Sequence, residues 1–580
     1  MCGKHPFTLA ALFLSSLTGS LAQPVRKMPV LPPDIMPQRA QARSMVITPL
    51  GIVSTGQTLA SEAGAAVLAR GGSAMDAAIA ANAAIGVVEY MNNGIGGDLF
   101  AIYYEAKTGK VYGMNASGWS AKGMTLEYLR KKGYTQMPHL GIDSVTVPGC
   151  VDGWSKMHQR FGRLPWRDLF QPAIYYAEHG FPLTEVIHDR WRSNEPKIAL
   201  DDEGARLFLP GGRAPKVGDV FRNPDLARTL ALLAAGGSDA FYRGPIAAAI
   251  LKTSESLEGV LDRSDLADYQ AEWVEPISTT YRGWKVYELP PNGQGMAALE
   301  MLNVMEQFPI SNYPLLSAPA FHWEIEAQKI AYQDLLKYLA DPRFAQIPVT
   351  GLISKEYAAR RAREIDSSRA NCSVRPGKPE LEGHGDTIYL TAVDKDGNIV
   401  SLIQSLFNAY GSAVVVRGMG FHLQNRGGLF VFDPKEPNVV GPRKRTFHTI
   451  IPAFMERGPL HIGFGIMGGL NQAQAHAQFV SSIVDHSLNI QAAIEAPRFT
   501  KLDFSGCDVL IESRIPPLVL EQLRAKGHNL SIRGPYSGDM GGGHVVLHDS
   551  AAHVNYGASS PRQDGAAAPE TPDFYSKKGK

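Results

Sequence analysis

Four cysteines in 580 residues cannot support a disulfide framework. Cys2 stands at the very start, and Cys150, Cys372 and Cys507 include no CxxC pair. Buried free thiols are expected, with one bridge and a spare thiol as the alternative. Charge of one sign is lacking too. With 57 Lys and Arg against 56 Asp and Glu, there is no electrostatic case for a nucleic acid or other polyanion as partner. The chain has no GxxxxGK[ST], no HExxH and no GxSxG. Gly94-Ile95-Gly96-Gly97 lacks the GxGxxG spacing and the later acidic residue, and His544 follows three glycines without a partner nearby. Phosphate cradles, helix-borne zinc sites and the α/β-hydrolase elbow therefore find no support. Beyond the N-terminus no run reaches ~18 uninterrupted apolar residues, so no membrane anchor is expected. Gly (58) and Pro (39) are spread without period, which excludes collagen-like or low-complexity character.

What is present begins with a targeting signal. Lys4 and His5 precede an apolar run over 7–17, and Ser20-Leu21-Ala22 offers small residues at the cleavage positions. This pattern predicts a signal peptide over 1–22 and secretion outside the cell or into a periplasm or vacuole. Residues 23–43, rich in Pro and basic side chains, read as an extended arm. Asn115, Asn371 and Asn529 lie in N-x-S sequons, which permit glycosylation.

Helical patterning follows over 59–69 and over the Ala-rich stretch 74–90, then a loop over 92–98 and a strand over 99–104. From about 125 to 380 the pattern is mostly helical, clearest over 226–235, 246–257, 296–305 and 321–339, with a break at Pro290-Pro291-Asn292-Gly293. Past 386 the texture turns to β-branched or alternating runs over 388–393, 399–405, 413–416, 460–466 and 544–547, divided by turns such as Asp396-Gly397-Asn398. This succession predicts an α+β layered sandwich in one large domain.

One position invites chemistry. Thr387 opens a strand directly after the turn Gly383-His384-Gly385-Asp386. A Thr hydroxyl needs an adjacent base to act as a nucleophile. Cutting the bond before Thr387 would free an α-amine (pKa about 7.7–8.0 when unperturbed) within reach of the same residue's Oγ. The β-methyl limits χ1, and Gly385 could supply the backbone angles that expose the Asp386 carbonyl. By itself the position better suits an ordinary strand residue, as most strand-leading threonines are.

Dispersed motifs sharpen this reading. They include Gly71-Gly72-Ser73-Ala74-Met75-Asp76-Ala77-Ala78, Gly94-Ile95-Gly96-Gly97, Gly162-Arg163-Leu164-Pro165-Trp166, Glu326-Ala327-Gln328-Lys329, Asp386-Thr387, Met467-Gly468-Gly469 and Tyr556-Gly557-Ala558-Ser559-Ser560-Pro561-Arg562. In this order they resemble the gamma-glutamyltranspeptidase family, N-terminal-nucleophile (Ntn) enzymes that cut themselves before a catalytic Thr. The resemblance implies a four-layer αββα sandwich made of a large segment, 44–386, and a small one, 387–580, held together after cleavage between Asp386 and Thr387. It implies Thr387 as nucleophile, Ser405 in place of a second Thr that hydrogen-bonds it, and backbone N–H groups of Gly468 and Gly469 as oxyanion hole. It implies a small-molecule amide as substrate and neither a metal nor an organic cofactor.

The departures concern the acyl group. Members acting on γ-glutamyl substrates resemble one another in an Arg that grips the α-carboxylate, after the stretch matching Tyr112-Gly113-Met114; here Asn115-Ala116-Ser117-Gly118-Trp119 has none. Where they place α-ammonium ligands after a paired Asn, this chain has Asn425, Arg426 and Leu429, and their Ser-Ser pair becomes His448-Thr449. Losing a bidentate Arg and reversing a charge would each cost a glutamyl head group about 1.5–3 kcal/mol. The pattern is closer to the cephalosporin-acylase-like and amidohydrolase-like branch, with Asn425, Arg426, His448 and Thr449 as substrate-binding candidates. Arg426 either receives an acidic acyl group or is a surface or scaffold residue. Glutathione hydrolysis, and a catalytically idle binding protein, stand as alternatives.

Overall fold

The foreseen strand runs over 388–393, 399–405, 460–466 and 544–547 interleave with strands from earlier in the chain, and a separate small sheet of Phe499–Thr500, Asp508–Glu512 and Asn529–Arg533 lies wholly after residue 386. The computed structural model describes residues 41–374, 386–502, 504 and 506–574. The signal peptide, nearly all of the arm, and Gly383 to Gly385 lie outside the described residues. Fourteen strands form two seven-stranded sheets: β1 Val46–Thr48, β2 Ile52–Thr55, β3 Asp98–Glu105, β4 Lys110–Ala116, β5 Glu272–Val274, β6 Ile277–Tyr281, β7 Trp284–Glu288, β8 Asp386–Val393, β9 Ile399–Phe407, β10 Ala453–Arg457, β11 Leu460–Ile466, β12 Gly543–Asp549, β13 Val554–Ser559 and β14 Ala567–Pro569. One sheet runs β1-β13-β12-β11-β10-β7-β6, the other β14-β2-β8-β9-β3-β4-β5. Every pairing within them is antiparallel.

The sheets stack through β8 and β9 against β11 and β12. Glycine sets the spacing there: a Cβ on Gly465 would lie 2.4 Å from the Tyr389 ring. Helices α1 (Thr58–Ala69) and α2 (Ala74–Val88) cover the outer face of the β8-containing sheet. All of α2 is buried, which its small Ala side chains allow, and a capping box between Ser73 and Asp76 starts it. On the other outer face lie α5 (Gly295–Met305) and α7 (Asn471–Val484), with α6 (Ala318–Tyr338) packed on α5; α3 (Pro224–Tyr242) and α4 (Pro245–Ser256) are the remaining long helices foreseen by periodicity. The result is the four-layer αββα sandwich, an α+β fold. All nine residues of β9 are buried, as expected of a strand covered on both faces.

Several expectations fail, for physical reasons. Residues 413–416 form no strand: Ala413 adopts φ +65°, and only an isolated Val415–His422 bridge remains. The stretch from 125 to 380 is mostly helical, as read, with β5 to β7 and the short strands Phe181–Pro182 and Val220–Phe221 set among its helices. Cys372 and Cys507 form a disulfide, leaving Cys150 as a buried thiol whose pKa burial raises, so the alternative of one bridge plus a spare holds. Asn115 is buried against Asn292, so that sequon is closed to a glycan in the folded chain, whereas Asn529 is exposed. Among the described residues no helix is long and apolar enough to cross a membrane.

Candidate active site

Strand β8 starts irregularly. Asp386 pairs with Phe407 and Ile388 with Gln404, so the register slips at Thr387. Such a bulge leaves one residue out of the ladder and re-aims its side chain. Thr387 is 2% exposed in this uncut chain, and its Oγ1 lies 3.1 Å from Ser405 Oγ. Ser405 Oγ also accepts the Phe407 N–H at 2.8 Å, which fixes the serine at the end of β9. The pair proposed as nucleophile and hydrogen-bonding neighbour is thus assembled.

Directly across from Ser405 on β3 stands Asp98. Residues opposite one another on neighbouring antiparallel strands point to the same face. Sequence reasoning passed over Asp98 as the end of a loop; the signal was an acid following the Gly96-Gly97 pair. That pair needs glycine for close approach: a Cβ on Gly97 would lie 2.4 Å from Ser405 O, and one on Gly96 2.0 Å from His422 O.

Asp98 is fully buried and organises the candidate substrate residues. Its Oδ2 accepts from Arg426 Nε (3.2 Å) and His448 Nε2 (2.9 Å), and its Oδ1 from the Gly118 N–H (2.9 Å) and Gln424 Nε2 (3.4 Å). Arg426 is 1% exposed, so it is no surface residue. Its Nη1 donates to Thr449 Oγ1 at 2.7 Å, its guanidinium lies over the Phe407 ring, and its Nη2 is buried with no acceptor among the described residues. Burial pulls its pKa down to about 10, with Asp98 opposing. Burial and then Arg426 pull His448 down to about 4, so it is neutral: Nε2–H donates to Asp98, and Nδ1 accepts from the Ile450 N–H at 3.5 Å. Asn425 is spent on architecture, its amide donating to His139 O and Asn408 Oδ1 at 2.7 Å each.

Gly468 and Gly469 follow β11 and precede α7, with φ of +117° and +59°. A side chain is strained at either angle. Their carbonyls accept from the N–H groups of Asn471 (2.9 Å) and Gln472 (3.3 Å), whereas their own N–H groups bond to no described residue. They sit at the positive end of a fourteen-residue helix, a place that favours a developing anion. Gln294, also missed in the sequence, donates to both Gly469 O (2.8 Å) and Thr449 O, tying this loop to the residue that Arg426 contacts.

One group of metal-ligating side-chain types occurs among the described residues, His322, Glu326 and His528. His322 bonds His528 and Asp366 O at 2.8 Å each, and Lys329 pairs with Glu326 at 2.7 Å. His544 is held by Gln563 at 3.0 Å, a structural role.

The gamma-glutamyltranspeptidase family model matches residues 60–570. The chain is 36% identical over 535 residues to the glutathione hydrolase-like YwrD proenzyme of Bacillus subtilis, covering 90% of this chain and 98% of that one. It is 33% identical to the acylase ACY 1 proenzyme of a Pseudomonas strain, covering 89% and 92%. The crystal structure of cephalosporin acylase from Bacillus halodurans superposes with a TM-score of 0.86 at 39% identity, covering 91% and 97%.

Proposed function

The chain belongs to the gamma-glutamyltranspeptidase family, an Ntn amide hydrolase by class, and from that premise we propose a secreted, self-processing enzyme that cleaves a non-glutamyl acyl amide through an acyl-Thr387 intermediate. In maturation, Thr387 Oγ attacks the Asp386 carbonyl carbon; the C–N bond breaks as the acyl group passes to oxygen, and the α-amine is released. Water then hydrolyses the ester, leaving an Asp386 carboxylate and a free Thr387.

In turnover the α-amine takes the Thr387 hydroxyl proton as Oγ attacks the substrate carbonyl, then gives it to the leaving amine. Ser405, 3.1 Å from Oγ1, orients the nucleophile. The Gly468 and Gly469 N–H groups receive the tetrahedral oxyanion. Water, or an acceptor amine, resolves the acyl-enzyme. The disulfide is consistent with an oxidising compartment and so supports the proposed export.

The observation that carries the acyl preference is Asp98. A carboxylate offers about four lone-pair positions, and four donors already occupy them. No acceptor is left there for the α-ammonium of a γ-glutamyl group, whereas Arg426 Nη2 is a donor still open. These residues therefore suit an acyl tail ending in a carboxylate or another acceptor and carrying no ammonium. Steady-state kinetics on glutaryl-p-nitroanilide against γ-glutamyl-p-nitroanilide test this. Glutaryl is expected to have the higher kcat/KM, with Arg426→Gln raising its KM at least tenfold; a preference for γ-glutamyl, or an unchanged KM, refutes the assignment. A γ-glutamyl preference would favour glutathione-type hydrolysis, as the name of the Bacillus relative suggests for that protein.

A further inference from the structure

The disulfide straddles the proposed cleavage point. Cys372 precedes Asp386 and Cys507 follows Thr387, 135 residues apart in sequence with Cα atoms 4.9 Å apart. Neighbouring contacts hold the two stretches in register without it. Lys329, on α6, donates to Asn371 O at 3.0 Å, and Glu326 accepts the Asn371 N–H at 3.2 Å, beside Cys372. The Ala370 N–H donates to Lys526 O, and the Asn529 N–H to Cys507 O. The cysteines are therefore presented to each other by the fold itself.

We propose that the mature enzyme is a covalent heterodimer, its large and small segments joined by Cys372–Cys507, and that this link is open to thiol exchange from one side. The proposal rests on the self-cleavage reading above. Before the cut, the bridge merely closes a loop within one chain. Afterwards it is the sole covalent tie between two chains whose strands alternate through both sheets, and it keeps an unfolded segment at high effective concentration beside its partner.

The two sulfurs are unequal. Cys372 is exposed and Cys507 buried. The Lys329 ammonium lies 3.8 Å from Cys507 Sγ. An external thiolate attacks Cys372 Sγ: the new S–S bond forms there, the Cys372–Cys507 bond breaks, and its electron pair leaves on Cys507 Sγ, where the ammonium stabilises the thiolate. With a dithiol as reductant, its second thiolate then attacks the mixed disulfide, releasing Cys372 as a thiol and closing the dithiol's own disulfide.

The test is intact-mass analysis and denaturing gels of the purified wild type, denatured in iodoacetamide so that Cys150 cannot scramble the bridge, with and without reductant. Without reductant a single species is expected, heavier than the uncut exported chain by one water plus the alkylation of Cys150; with reductant, two. A peptide map should contain the Cys372–Cys507 cross-linked pair, and Cys507→Ser should give two species under both conditions. Two species without reductant overturn the tether and leave self-cleavage standing. One species in both lanes overturns self-cleavage, and the tether with it.

Discussion

Replacing Asp98 by Asn tests whether the buried carboxylate and Arg426 act as one unit. Asp98 is fully buried, and Arg426 is its neighbour at 3.2 Å. Removing one partner of a buried ion pair leaves an uncompensated charge and costs about 3–5 kcal/mol. The amide adds a second conflict. Both Asp98 oxygens accept, so an amide nitrogen on either side must face donors, either Gly118 N and Gln424, or Arg426 and His448. At roughly 2 cal/mol/K of unfolding entropy per residue, a chain of this size loses about 1 °C in Tm per kcal/mol, so a fall of about 3–5 °C is expected. The measurement belongs in the Thr387→Ala background, which keeps one chain. Adding Arg426→Met to Asp98→Asn removes the orphaned cation and should recover at least ~2 kcal/mol, giving a coupling energy well beyond additivity. An unchanged Tm for Asp98→Asn, or a double variant equal to the sum of the singles, would refute the paired reading.

Ser405→Ala should keep the fold and lower kcat on the acyl-anilide by about 10- to 100-fold through loss of the 3.1 Å hydrogen bond, with Ser405→Thr restoring most of it; equal activity in the Ala variant counts against an orienting role. Gly468→Ala places a side chain at φ +117° with its Cβ 3.1 Å from Asn471 Cβ, so kcat should drop by about 10² or more along with ~1–3 kcal/mol of stability. His448 has a folded pKa near 4 against 6.5 unfolded, so the unfolded chain binds the extra proton and stability falls as pH drops from 6.5 towards 4. His448→Gln should therefore reduce the pH slope of unfolding in that window by about one proton; an unaltered slope would mean that His448 is not held neutral.

Much of the architecture was legible because it follows from local rules. The Ala-rich run with its Ser73–Asp76 box announces α2, and the β-branched runs announce β8, β9 and β11. Thr387, Ser405 and the glycine pair were found through motifs. What escaped depends on distant juxtaposition. Asp98 gains its importance only when β3 pairs with β9 and brings it to Arg426 and His448, more than 300 residues away in the chain. The Cys372–Cys507 pairing likewise follows from α6 gripping Asn371, which no spacing encodes. Residues 413–416 carry strand-forming side chains, but Ala413 at φ +65° turns the chain there instead.

The most direct trial of the central claim is N-terminal sequencing with intact mass of the reduced, active enzyme beside Thr387→Ala. Two chains should appear in the wild type, one beginning at Thr387 and the other ending at Asp386, while the variant stays whole and inert. Full turnover by material in which the Asp386–Thr387 bond is unbroken would contradict the account.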